Sequence, residues 1–234
     1  MEELNETPTV VLVHGLAILR PAHRMFVGFQ EALESRGFRT RRTFVQGDGS
    51  LDQLSGRLAE QLHRIEGPVA LLCHSMGGLQ ARQALLDEAL ASRIRAIATV
   101  GTPHAGSPLA RVGAIFNRAY RDLTPAARAA WEERNGEAER QAIARHHIRC
   151  LCALAVLKGP ADSPELLPTQ ALLRLIDGPS DGLVPATSQA WGDVVCETDL
   201  DHQQCAGLDP HAQARARALA LWTQLAEAAC DASP

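Results

Sequence analysis

Ser75 stands in the run Val69-Ala70-Leu71-Leu72-Cys73-His74-Ser75-Met76-Gly77-Gly78. The four apolar residues at its start predict a buried strand. The stretch from Leu79 to Leu86 predicts a helix, so only a sharp turn fits between the two. A serine at the tip of such a turn has its hydroxyl pushed clear of the backbone, which suits a nucleophile. Strand and helix come close there, so the flanking residues must be small. Gly77 and Gly78 meet that demand on the helix side, and Cys73, small but not glycine, stands on the strand side.

A serine hydroxyl needs a base, and the base needs an orienting carboxylate. Asp181 opens the turn Asp181-Gly182-Leu183-Val184-Pro185, and His202 closes the run Asp199-Leu200-Asp201-His202. The chain holds nine histidines, so position must choose among them. His202 follows a short strand candidate and comes after Asp181. From loops after successive strands, the two would meet beside the Ser75 turn. His211 and His104 are rival bases, and Asp177, also followed by glycine, is a rival acid. Pro210 before His211 predicts a helix start rather than a catalytic loop. Acyl transfer also develops an oxyanion, which needs fixed N–H donors. The backbone N–H of Met76 is one candidate. That of Leu16 is the other, since Gly15, after the apolar run from Thr9 to Val13, allows close approach.

These residues need a frame. Strands are predicted at 9–13, 39–45, 69–73, 94–100, 147–156 and 193–198, with helices between them. Met25, Phe26, Phe29 and Leu33 recur at helical spacing, as do Leu51, Leu54, Leu58, Leu62 and Ile65. Ser50 and Gln53 form a capping-box pair before the second set. A closing helix is expected from His211 to about Ala229, with Leu219, Trp222 and Leu225 facing the sheet. Alternating strands and helices imply a mostly parallel α/β sheet with helices on both faces. Catalytic loops should lie beyond the carboxyl ends of its strands.

Taken together, the motifs resemble the bacterial triacylglycerol lipase group of the α/β-hydrolases. The matching residues are Val11 to Leu16, His74-Ser75-Met76-Gly77-Gly78, Val100-Gly101-Thr102-Pro103-His104-Ala105-Gly106-Ser107, Asp122-Leu123-Thr124-Pro125, Asn135 and Asp181 to Pro185. The resemblance implies the α/β-hydrolase fold. It assigns Ser75 as nucleophile, Asp181 as acid and His202 as base, in an esterase or lipase of lipid metabolism. A thioesterase or acyltransferase would use the same triad, and a hydrolase-like binding module would have lost catalysis. The larger lipases of the group hold calcium through an aspartate two residues after the triad histidine. Gln204 occupies that position here, so no calcium site is expected, and neither metal nor cofactor is implied. Residues 107–146 are expected to form a short helical cap. Leu109, Val112, Ile115, Phe116 and Ala119 give it an apolar face, Arg111, Arg118 and Arg121 a solvated one, and a second helix runs from Pro125 to His146.

Composition sets the remaining bounds. The 234 residues are 46% hydrophobic and 21% charged, as expected of one globular domain spanning 1–234. A net charge of −4 argues against a nucleic-acid partner and leaves a small ester or acyl molecule as the expected one. No run is apolar enough to span a bilayer, and the acidic start Met1-Glu2-Glu3 is unlike a secretory leader, so a cytoplasmic location is expected. The six cysteines have no metal or redox spacing, and Cys150 and Cys152, alternating on one strand, are too far apart to bridge.

Overall fold

The computed structural model describes residues 6–16, 22–45, 49–115, 118–209 and 211–231. Its six strands are β1 (Thr9–Val13), β2 (Thr40–Arg42), β3 (Val69–His74), β4 (Ile94–Val100), β5 (Arg149–Ala155) and β6 (Asp193–Thr198). All pair in parallel, in the order β2-β1-β3-β4-β5-β6. The α-helices are α1 (Phe29–Glu34), α2 (Leu51–His63), α3 (Met76–Ala84), α4 (Glu88–Ala91) and α5 (Ala110–Gly113). They continue as α6 (Pro125–His146), α7 (Leu167–Ile176), α8 (Ala186–Gln189), α9 (His202–Cys205) and α10 (Ala212–Cys230).

Period-two alternation divides the core. Val11, Val13, Leu71, Cys73 and Ile97 pack on one face of the sheet with α2 and α3. Val10, Leu12, Ala70, Leu72, Ala96 and Ala98 pack on the other with α1 and α10. Central strands covered on both faces read as continuous apolar runs, which is why β1, β3 and β4 were legible from composition alone. Trp222 and Leu225 of α10 are fully buried, while Leu219 is partly so. The Trp222 ring meets Phe26 edge to face at 5.1 Å. Its Nε1–H donates to Cys205 O at 2.8 Å, which ties α10 to the short helix α9.

Three elements differ from the sequence expectation. The strand at 39–45 ends early: Thr43 N–H still reaches Leu12 O, but the Gln61 side chain takes both backbone groups of Phe44. The helical spacing from Met25 to Leu33 is not one helix. Phe26 has φ 57° and Gly28 φ 79°, which break it, although all four apolar side chains are buried. The cap face from Leu109 to Ala119 is likewise divided. α5 stops at Gly113, where the Tyr120 ring would meet any added Cβ at 2.5 Å. Val112 and Ile115 are exposed, and Phe116 and Pro210 lie outside the described residues, as does the Met1–Asn5 start.

The expected helix from Pro125 to His146 is α6, with Thr124 as its N-cap. It is tied to α3 through a buried ion-pair cluster. Buried Arg82 of α3 donates to both carboxylate oxygens of Glu139, at 2.6 and 2.5 Å, and to Glu132 at 2.8 Å. Its guanidinium lies over the rings of Trp131 and Trp191. The Arg128 guanidinium also lies over the Trp131 ring, at 4.7 Å. Burial pushes the Arg128 guanidinium down to about 10. The segment before α6 is also tethered, because Asp122 Oδ2 accepts the Leu51 N–H at the start of α2. The Ser50–Gln53 capping box closes that same helix end.

The tight joint of β3 and α3 yields a test. A Cβ on Gly78 would sit 2.4 Å from Thr102 Oγ1 and 2.9 Å from Thr99 Cγ2. Gly78→Ala must push α3 off β4, at a cost of about 1–3 kcal/mol. A melting temperature lowered by several degrees is expected, whereas unchanged melting would refute the close packing.

Candidate active site

β1, β3 and β4 end side by side, and their following residues build the site. Ser75 has φ 55° and ψ −132°, a strained conformation for a residue with a side chain. Its backbone is held on both sides. Ser75 N–H donates to Val100 O at 2.9 Å, while Ser75 O accepts from Gly78 N–H and from the Thr102 hydroxyl at 2.7 Å. Added Cβ atoms show why small residues surround it. On Gly77 one would meet Val13 O at 2.7 Å, and on Gly15 one would meet the Ser75 Cβ at 2.6 Å. Cys73, in place of a glycine, points into the apolar core, where burial pushes its thiol up.

The structure brings Ser75, Asp181 and His202 together. His202 Nε2 lies 3.0 Å from Ser75 Oγ, and His202 Nδ1 lies 2.7 Å from Asp181 Oδ2. The carboxylate accepts the Nδ1 proton, which leaves Nε2 free to accept from the hydroxyl. Asp181 is fully buried, and its Oδ1 accepts the N–H groups of Leu183 and Val184 at 2.9 and 2.7 Å. Gly101, at φ 59°, leaves room for this pair: a Cβ there would be 2.8 Å from Asp181 Oδ2. His202 begins α9 rather than lying on a loop. The rivals go elsewhere. His104 Nε2 bonds to the Thr99 hydroxyl and its ring stacks on Trp191, His211 is the residue before α10, and Asp177 accepts from the Thr187 hydroxyl.

Leu16 and Met76 both border the site. Leu16 lines a cavity beside Ser75, and Met76 is the first residue of α3, where the N–H has no intrahelical acceptor. The cavity measures about 250 Å³ and is walled mainly by Leu16, Met25, Leu109, Tyr120, Leu166 and Val184. The wall formed by Leu166 and Thr169 was not visible in the sequence, since it depends on how the turn before α7 folds back. No residue of α6 lines this cavity.

The start of α9 is heavily braced. Asp201 and Gln204 form a capping box, a spacing that could have marked this helix in the sequence. Asp201 Oδ2 also accepts the Ser163 N–H. Gln204 Nε2 donates to Asp162 and to Asp209, both at 2.9 Å. The position that carries a calcium-ligating aspartate in the resemblance thus holds an amide donor between two carboxylates. Calcium takes oxygen ligands, so this set does not fit it.

The comparisons with known proteins agree with this architecture. Residues 53–159, a little under half of the chain, match the family model of the PGAP1-like alpha/beta domain. No curated protein matches the sequence. Among solved structures, a lipase from Bacillus licheniformis in mature form superposes with a TM-score of 0.72 at 19% identity, covering 85% of this chain and 86% of that one. A metagenomic carboxyl esterase gives 0.72 at 20% identity, covering 96% and 76%. Lipase 1 from Pelosinus fermentans gives 0.68 at 15%, covering 97% and 100%. The chain has the α/β-hydrolase fold. Identities this low speak for the fold alone. Within that fold, the turn at Ser75 joins β3 to α3. No helix among the described residues is long and apolar enough to cross a membrane.

Three buried histidines of this α/β-hydrolase fold carry a pH signature. Burial holds His14, His74 and His104 below the ordinary histidine range. Arg42 adds to this for His14, His202 for His74, and Arg82 and Arg128 for His104. In the unfolded chain each takes up a proton near pH 6.5 that the folded state refuses. Unfolding therefore binds protons below that pH, and stability falls as pH falls. Melting temperature should drop between pH 7 and pH 5, and His104→Gln should flatten the drop. An unchanged slope in the variant would exclude His104 as a contributor.

Proposed function

We propose that this protein is a serine hydrolase that cleaves carboxylic esters through an acyl-enzyme. One observation carries the reading: Ser75 Oγ, both ring nitrogens of His202 and Asp181 Oδ2 lie in one hydrogen-bonded line at 3.0 and 2.7 Å, beside an apolar cavity. The lipases and the esterase that share the fold support it. In this reading His202 Nε2 takes the Ser75 proton as Oγ attacks the ester carbonyl. Asp181 holds the Nδ1–H tautomer and stabilises the imidazolium that forms. The N–H groups of Leu16 and Met76 hold the oxyanion. His202 then protonates the leaving alcohol. Water, deprotonated by the same nitrogen, releases the acid.

The substrate is an ester with a modest acyl group. A cavity of about 250 Å³ falls below the roughly 300–1,000 Å³ of pockets for drug-sized ligands. Each buried methylene adds about 0.8 kcal/mol of binding, so the chain that fits is selected by length. The 107–123 segment and the residues before α7 form the acyl wall of this single domain.

Two measurements test the reading. Ser75→Ala and His202→Ala should each lower turnover of a p-nitrophenyl ester by at least about 10⁴-fold with melting retained, while His211→Ala should leave it intact. Near wild-type turnover in the Ser75→Ala protein would end the proposal. In a panel of esters from acetate to palmitate, p-nitrophenyl butyrate should be turned over faster than emulsified triolein. A rate that jumps at the oil–water interface would instead assign a true lipase.

A further inference from the structure

His14 ends β1 and is 2% exposed, yet no step of the proposed reaction uses it. Both of its nitrogens are committed. Nδ1 lies 2.6 Å from Gly15 O, and a carbonyl only accepts, so Nδ1 carries the proton. Nε2 lies 3.0 Å from Val45 N, and a backbone N–H only donates, so Nε2 is bare. The imidazole is therefore neutral with a fixed tautomer, and burial together with the nearby Arg42 guanidinium favours that form.

The consequence lies in the next peptide. In a trans peptide the C=O and the following N–H point to opposite sides. No cis bond occurs among the described residues. Whatever holds Gly15 O on one side thus aims the Leu16 N–H to the other. The Gly15 backbone is pressed against the nucleophile, since a Cβ there would fall 2.6 Å from Ser75 Cβ and 3.1 Å from Ser75 Oγ. Leu16 lines the cavity at the same point. Among the described residues no backbone acceptor takes the Leu16 N–H. We infer that His14 is a positioning residue: it grips Gly15 O, braces itself on Val45, and so aims the Leu16 N–H at the oxyanion. The inference rests on the hydrolase reading above and adds a residue to it. Val45 belongs to the chain leaving β2, outside the loop being oriented. The sheet edge itself is therefore the reference for the donor's direction.

Paired variants separate orientation from mere packing. In His14→Asn the amide nitrogen takes the place of Nδ1 and keeps the donor to Gly15 O, but cannot reach Val45. In His14→Gln the side-chain oxygen takes the place of Nε2 and keeps the acceptor for Val45, but leaves Gly15 O ungripped. His14→Gln should lose about 10–100-fold in kcat with KM nearly unchanged, because the donor acts in the transition state. It should lose the same factor in affinity for butylboronic acid, whose tetrahedral adduct with Ser75 puts an oxygen at the oxyanion position. His14→Asn should keep most of both. Equal losses in the two variants, a loss that follows melting temperature, or a rise in KM alone would overturn the inference. A measurement on the unmutated protein removes dependence on variant folding. The Leu16 amide proton should shift downfield when butylboronic acid binds, and an unmoved resonance overturns the inference. Failure of the hydrolase reading looks different. In that case the wild type neither turns over any ester nor labels at Ser75 with a fluorophosphonate, and the role of His14 falls with it.

Discussion

The backbone of Ser75 is held where a side-chain-bearing residue resists going, at φ 55° and ψ −132°. Strain of about 1–3 kcal/mol persists only where surrounding structure over-determines it. Here the restraints come from the two strands that flank β3. β4 supplies Val100 O, the turn after it supplies the Thr102 hydroxyl, and the chain after β1 presses Gly15 on the side chain. The parallel order β1-β3-β4 at the sheet centre is what brings these three ends together. Small residues at 15, 77, 78 and 101 follow from the same crowding, because an added Cβ at each would come within 3 Å of a neighbouring atom: Ser75 Cβ, Val13 O, Thr102 Oγ1 and Asp181 Oδ2 respectively.

A second constraint is the satisfaction of buried polar groups. Asp181 is wholly removed from water, and a buried carboxylate needs hydrogen-bond partners. Two backbone N–H groups and the His202 ring supply those bonds. The same turn accepts the His202 N–H on Asp181 O, so the two residues are joined through backbone as well as side chain. His74 adds a third contact, its Nε2–H donating to His202 O at 2.9 Å. Of the groups that hold His202, the buried His74 ring is the one kept neutral, by burial and by the nearby His202. Its neutrality comes at the expense of acid stability.

Much of this was legible in residue order. A tight strand-to-helix turn demands glycine nearby, a doubly covered strand demands unbroken apolar residues, and Asp181 with His202 come in an order that the fold makes meaningful. The legible features are local. Those that escaped depend on partners far along the chain. Phe26 breaks a helix that its neighbours' spacing suggests, because its ring is drawn against Trp222, nearly two hundred residues on. Helix α6 is anchored to α3 because buried Arg82 claims Glu139, a pairing no periodicity announces. Gln204 read only as a missing carboxylate, whereas its amide links two others.

The grip of Trp222 on Cys205 has a consequence for biogenesis. His202, the base of the proposed mechanism, is made 127 residues after Ser75, and the helix that supports it comes later still. At ribosomal rates of about 5–20 residues per second, the serine waits many seconds without a partner. Under the proposed mechanism, Ser75 is throughout that interval an unactivated alcohol. In that mechanism, the docking of α10 behind α9 is the event that arms Ser75.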